Sequence, residues 1–208
     1  MRQDAIDHPL DVATPSYMNA IGASGKRTLL VNTTFLRAYQ ETFYQEEVQT
    51  RFYQFPTDAY LYSLTGQVFV ENQQQESLLK QNQGLWLKAA SIHKLVLLSS
   101  QATLLIVVCQ QDNPSDPAID YLQPQSSGSA SKISQTSPVS RWLLSQHPNV
   151  KIELELLPEN YQEHLHYHRY TEQFVVNLSD QIVIHATTDA VCLRHGDAYL
   201  IPAKQQHK

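Results

Sequence analysis

The sequence predicts an all-β protein built from two similar β-barrels in tandem, and three observations lead there. Short runs rich in Val, Ile, Leu, Tyr and Phe recur along most of the chain, a Pro-, Ser-, Gln- and Gly-rich stretch interrupts them, and the two sides of that stretch read as copies of each other.

The runs come first. TRFYQF, AYLYSL, QVFVEN, KLVLLSS and ATLLIVVCQ precede the interruption, and VKIELELL, EQFVVNL, QIVIHAT and DAYLIPA follow it. Runs of this length and composition, bounded by turn residues, are strands of a sandwich or barrel, and helical periodicity is scarce. Residues 113–138 have almost no apolar periodicity and read as a linker. Across it, LTGQVFV reads like LSDQIVI, with Gly66 and Ser179 lying 113 residues apart, and GLWLKAA from Gly84 lines up with GDAYLIP from Gly196 at an offset of 112. One unit is repeated. The resulting organisation is an N-terminal extension at 1–24, a first barrel at 25–112, the linker at 113–138, and a second barrel at 139–208.

Composition narrows the partners. The 208 residues suit one large domain or two small ones, and the 42% hydrophobic content is ordinary for a globular chain. A net charge of -5 leaves no basic stripe for phosphate backbones, so nucleic acid is excluded and a small-molecule ligand is expected. The first residues, MRQDAIDHPLDVATPSYMNA, have no charged region followed by an apolar run, and no stretch of about 18 apolar residues occurs. A cytoplasmic protein with no membrane partner is the expectation. Cys109 and Cys192 lie in no C-x-x-C and are expected as reduced core residues.

The stretch HYHRYTE, residues 166–172, carries the chemistry. On a strand, alternate side chains share a face, which would align His164, His166, His168, Tyr170 and Glu172. Facing a barrel interior, that many imidazoles and a carboxylate would need partners. A second histidine follows the turn in GDAYLIPAKQQHK, where Gly196 opens a strand, Pro202 ends it and His207 comes after. If His207 returns to the same face, three imidazoles and one carboxylate suit a first-row divalent ion. One such ion, Fe, Mn, Zn or Ni, is the expected cofactor.

These residues resemble the cupins. The first cupin motif is H-x-H, three or four residues, a glutamate, six residues and a glycine; His166, His168 and Glu172 fit, with Ser179 in place of the glycine. The second is glycine, five residues, proline, x, glycine, two residues and histidine; Gly196, Pro202 and His207 fit, with Lys204 in place of the second glycine. The resemblance implies jelly-roll barrels (double-stranded β-helices) in a two-domain, or bicupin, arrangement, with His166, His168, Glu172 and His207 as metal ligands. Through the repeat offset, the corresponding first-half positions are Tyr53, Phe55, Ala59 and Leu95. That barrel is therefore expected to be metal-free, with a structural or dimer-contact role. A narrower stretch, RWLLSQ from Arg141 through HLHYHRYTEQFVV, is similar to the cupin domain of type II phosphomannose isomerases. It lacks the proline and glycine of their Arg-Pro-Trp-Gly element and carries its glutamate one residue later. This likeness implies a sugar or sugar phosphate as ligand.

Two functions follow. In the first, the ion polarises adjacent oxygens of a sugar, sugar phosphate or hydroxy or keto acid, or binds dioxygen beside it, while His164 or Tyr170 moves a proton; the enzyme is then an isomerase or dioxygenase. In the second, the pocket binds or senses a small sugar or acid without turnover. His93, His185 and His195 are expected as core or surface histidines, and Trp86 and Trp142 as core or interface anchors. The first half runs on past Leu95 through KLVLLSSQATLLIVVCQ, whereas the second ends one residue after His207. Either the chain is truncated there, or residues 1–24 or a partner chain supply the edge. A homodimer or higher homo-oligomer is the expectation.

Overall fold

The computed structural model describes residues 26–45, 50–110, 119–133, 138–186 and 190–208. The expected N-terminal extension, 1–24, lies outside the described residues. Among them there is no helix, and so none long and apolar enough to cross a membrane.

The first half forms two facing antiparallel sheets. Its strands are β1 (Lys26–Asn32), β2 (Leu36–Tyr44), β3 (Thr50–Gln54), β4 (Ala59–Thr65), β5 (Val68–Glu71), β6 (Glu76–Leu79), β7 (Gly84–Leu87), β8 (Ile92–Leu97) and β9 (Gln101–Cys109). One sheet runs β1-β2-β9-β4-β7 and the other β3-β8-β5-β6. Sequence neighbours such as β3 and β4 fall in different sheets, as in a jelly roll. Between the sheets lies a core of Phe43, Tyr53, Phe55, Leu61, Val70, Leu95, Leu104 and Ile106, among others.

The second half is built from smaller pieces. Its strands are β10 (Ser131–Lys132), β11 (Ser140–Gln146), β12 (Lys151–Leu156), β13 (Gln173–Val176), β14 (Gln181–His185), β15 (Ala190–Arg194) and β16 (Ala198–Ile201). They pair as β10-β11-β12, β13-β16 and β14-β15. Ile184, Leu193 and Ile201, with Val175, Val191 and Tyr199, make a small interior of their own.

A third cluster joins the halves and explains why β9 reads as one unbroken apolar run. Ala102, Leu104, Ile106 and Val108 face the first interior, while Leu105, Val107 and Cys109 face the other way, against the second half. A strand covered on both faces needs no polar alternation. β4 behaves alike, with Ala59 and Leu61 inward and Tyr60, Tyr62 and Leu64 in the joint. The second half contributes Leu144, Trp142, Ile152, Leu154, Phe174, Val176 and Leu200 to it.

Polar groups fix this joint. Asp58, buried between β3 and β4, accepts hydrogen bonds from the Ala89 amide (2.8 Å), the Tyr121 hydroxyl (2.8 Å) and the His147 ring (3.4 Å). The His147 ring stacks on Trp86, with centroids 4.8 Å apart, and the Trp86 indole N–H donates to the Ser145 hydroxyl. Trp86 is therefore an anchor between the halves. The stretch expected as a linker packs on the first half and the joint: Gln125 pairs with Gly84, Tyr121 bridges to Trp86, Ile119 is buried in the joint and Leu122 in the first-half core. Cys109 is buried as expected, but Cys192 is exposed because it occupies an outward position of β15.

Candidate metal centre

The two halves repeat one backbone pattern, and it shows which residues correspond. In the first half the Ala90 amide donates to the Phe55 carbonyl (2.8 Å) and Tyr53 pairs with His93. In the second, the Lys204 amide donates to the His168 carbonyl (2.7 Å) and His166 pairs with His207. Ala90 and Lys204 both hold positive φ, at 57° and 68°. Further along, Ala59 pairs with Leu87, and Gln173 pairs with Ile201. The counterparts of Tyr53, Phe55, Ala59 and His93 are thus His166, His168, Gln173 and His207.

Two of the expected correspondences change. His207 matches His93 and not Leu95, because Gly84 and Gly196, which anchored the sequence alignment, do different work. Gly84 lies in a strand, where a Cβ would fall 2.2 Å from the Tyr60 hydroxyl oxygen, whereas Gly196 occupies a left-handed turn (φ 81°) whose first-half counterpart is Asn82 (φ 61°). The Asn82 amide donates to the Ser63 carbonyl just as the Gly196 amide donates to that of Asn177. Ala59 matches Gln173 and not Glu172, because the second half has one extra residue between His168 and β13.

The chain also leaves strand geometry across the expected face. Residues 167–172 are not extended strand, so the alternation that would align His164, Tyr170 and Glu172 with His166 and His168 does not hold. Tyr170 is 78% exposed, with the Arg169 guanidinium 5.1 Å from its ring centre. His164 is exposed and contributes its carbonyl. Glu172 stands just ahead of β13, outside the histidine cluster, with one carboxylate oxygen buried and unpartnered.

His166, His168 and His207 do come together, each offering a ring nitrogen within 4.8 Å of the others. His166 and His207 are locked by two backbone hydrogen bonds, amide to carbonyl, of 3.0 and 2.9 Å. The His166 Nδ1 sits 2.9 Å from the His164 carbonyl, and the His207 Nδ1 sits 2.9 Å from the Gln205 carbonyl. A carbonyl only accepts, so both Nδ1 atoms carry the proton and both Nε2 lone pairs are left for another partner. The Nε2 of His207 is buried with no hydrogen-bond partner. A buried acceptor without a partner is costly, and a cation among three imidazoles satisfies it. The residues fit a divalent metal. The Nε2 of His168 lies 3.0 Å from the Gln173 side-chain oxygen.

The turns that lack the expected glycines are built by other means. Asn177, buried, accepts from the amide and hydroxyl of Ser179 and donates to the Leu193 carbonyl (2.9 Å), which shapes the turn without a glycine. Lys204 takes the left-handed conformation itself.

A cleft lies elsewhere. It encloses about 690 Å³ beside the first half, is lined by Gln54, Asn72, Gln75, Lys88, Ile92 and Tyr121 among others, and includes none of the three histidines.

No protein-family model matches the chain, and no curated protein matches its sequence. Solved structures match its fold. The protein Ylba from E. coli aligns over 93% of this chain and 78% of its own, with 14% identity and a TM-score of 0.63. A cupin 2 conserved barrel domain protein from Leptotrichia buccalis aligns over 90% and 83%, with 10% identity and a TM-score of 0.62. The Lactobacillus farciminis oxalate decarboxylase, in a formate complex, aligns over 92% and 79%, with 9% identity and a TM-score of 0.66. The fold is that of the cupins.

Proposed function

We propose that the chain binds one divalent metal through His166, His168 and His207 and acts with it on a small oxygen-bearing molecule: a sugar, a sugar phosphate, or a hydroxy or keto acid. The convergence of three imidazoles, with the buried Nε2 of His207 unpartnered among them, is the observation that carries this reading. When bound, the ion would supply Lewis-acid or dioxygen chemistry. The backbone pair between His166 and His207 holds two of the imidazoles in place, and the carbonyls of His164 and Gln205 fix their protonation. The likeness to an oxalate decarboxylase supports an acid as the ligand.

A second reading, binding or sensing without turnover, draws support from the exposure of His164 and Tyr170. Neither proton carrier is held inside the site.

Elemental analysis of protein purified without chelator or nickel resin tests the proposal. The expected result is about one metal per chain, lost in the His166→Ala, His168→Ala double variant. Unchanged metal content in that variant overturns it. Turnover of candidate acids by the loaded protein then separates the enzyme from the binding module.

A further inference from the structure

We infer that the fourth protein donor to this metal is the side-chain amide oxygen of Gln173, not the carboxylate of Glu172; the inference rests on the metal-binding reading above. Glutamate is the fourth ligand that the sequence motif implies, and Glu172 satisfies the motif's spacing. The backbone places the neighbouring residue there.

Three independent observations agree. First, register: Gln173 is paired with Ile201, which belongs to the second interior, and residues directly opposite in an antiparallel pair share a face. Val175, two residues on, lies in that same interior, whereas Phe174 and Val176 face the joint. Second, the repeat: the first-half counterpart is Ala59, which is fully buried in the interior with Tyr53 and Phe55, the counterparts of His166 and His168. Third, distance: the Gln173 Oε1 is 3.0 Å from the His168 Nε2. The Gln173 amide oxygen therefore already reaches the ring of one of the three histidines. Glu172, one residue earlier, precedes the strand and does not join the histidine cluster.

The consequence is electrostatic. Three neutral imidazoles and an amide add no charge, so the ion keeps its full double charge toward whatever occupies the remaining positions. A glutamate would cancel half of it.

Co²⁺ is a suitable probe because its visible absorption reports changes in its ligands. Binding is followed in the full chain and in the Gln173→Ala, Gln173→Glu, Glu172→Gln and His207→Ala variants, with far-UV circular dichroism to verify folding. Gln173→Glu is nearly isosteric and keeps the test informative if Gln173→Ala misfolds. Partners that merely orient a ligand are worth roughly 10–100-fold in metal affinity, and a direct donor no less, so Gln173→Ala is expected to weaken Co²⁺ binding at least about tenfold. Gln173→Glu is expected to tighten it, both Gln173 variants to shift the absorption bands, and Glu172→Gln to change neither. Weakening by Glu172→Gln with unmoved Gln173 variants overturns the inference. So does weakened binding in Gln173→Ala with unmoved bands in both Gln173 variants, which would make Gln173 a hydrogen-bond partner of His168 alone. In both outcomes the loss of Co²⁺ binding in His207→Ala leaves the metal reading standing. If the unaltered chain binds no metal, that reading fails and the inference falls with it.

Discussion

His93 and His207 occupy the same place in the two halves, and their rings are held by opposite nitrogens. In the first half, the His93 Nε2 lies 3.1 Å from the Lys88 carbonyl and so spends its N–H there. In the second, the His207 Nδ1 donates to the Gln205 carbonyl and Nε2 is left over. Each ring leaves its other nitrogen buried without a hydrogen-bond partner, Nδ1 in His93 and Nε2 in His207, so the halves differ in which nitrogen is left and in the side chains that surround it. The surrounding positions diverge clearly. Tyr53 and Phe55 stack with centroids 6.0 Å apart where the second half has His166 and His168, and Ala59 fills the place of Gln173. Beside them a buried ion network links Arg51 and Arg27 to Glu41, and the Arg51 guanidinium lies 4.4 Å from the Phe43 ring centre. One scaffold therefore supports either a filled core or a set of converging donors, and a few side chains decide which.

The sharpest way to break that contrast is to empty the filled side. Phe55 is 2% exposed within the larger core. Phe55→Ala is expected to cost about 3–5 kcal/mol in denaturant unfolding. Metal content, measured on the folded variant, is expected to stay at the unaltered value, since the two interiors are separate clusters. Loss of metal without loss of stability would show that the first half shares in the site.

His93 gives a smaller, pH-dependent effect. It is fully buried, and burial lowers its pKa below the usual histidine value of 6.5, while the Lys88 carbonyl opposes that shift. The unfolded chain therefore takes up this proton at higher pH than the folded one does. Stability contributed by the neutral ring is present above about pH 6.5 and is lost as pH falls from there toward the lower folded value, at a limiting slope of about 1.4 kcal/mol per pH unit. His93→Gln removes the titration, so its stability relative to the unaltered chain should improve as pH drops from 7 to 5. Parallel stability curves for the two proteins over that range would show that His93 titrates alike in both states.

The fold was legible because strand patterning and turn residues are local signals, and the three histidines because two short motifs each bring their own spacing. Glu172 and Gln173 were not separable in sequence, since one extra residue after His168 shifts the register without disturbing any motif residue. The face drawn through His164, Tyr170 and Glu172 assumed an extended chain where the backbone turns. The joint through Asp58 and His147 left no trace, because its partners stand 89 residues apart and each reads alone as an ordinary polar residue. Gly84 and Gly196 misled the repeat alignment because the letter is the same, whereas one needs space against Tyr60 and the other a positive φ.

The smallest expected effect compares the two turns directly. Ala90 and Lys204 both sit in the left-handed region, at φ 57° and 68°, and each donates its amide to a residue of the site or its filled counterpart, Ala90 to the Phe55 carbonyl and Lys204 to that of His168. A residue with a Cβ is strained there by roughly 1–2 kcal/mol, and glycine gives back part of that relief through its greater freedom in the unfolded chain, so a net gain of about 0.5–1 kcal/mol is expected for Lys204→Gly or Ala90→Gly. Because the turns repeat one geometry, the two substitutions should stabilise alike in chemical denaturation. The halves differ in what the turn supports: Lys204 is three residues from His207, so its substitution is expected to leave metal content unchanged only if the backbone pair between His166 and His207 holds that histidine independently of the turn. Equal gains in stability with metal retained fit a turn that serves folding alone. A gain at Ala90 beside a loss of metal at Lys204 would show that the strained lysine helps to set His207 in place.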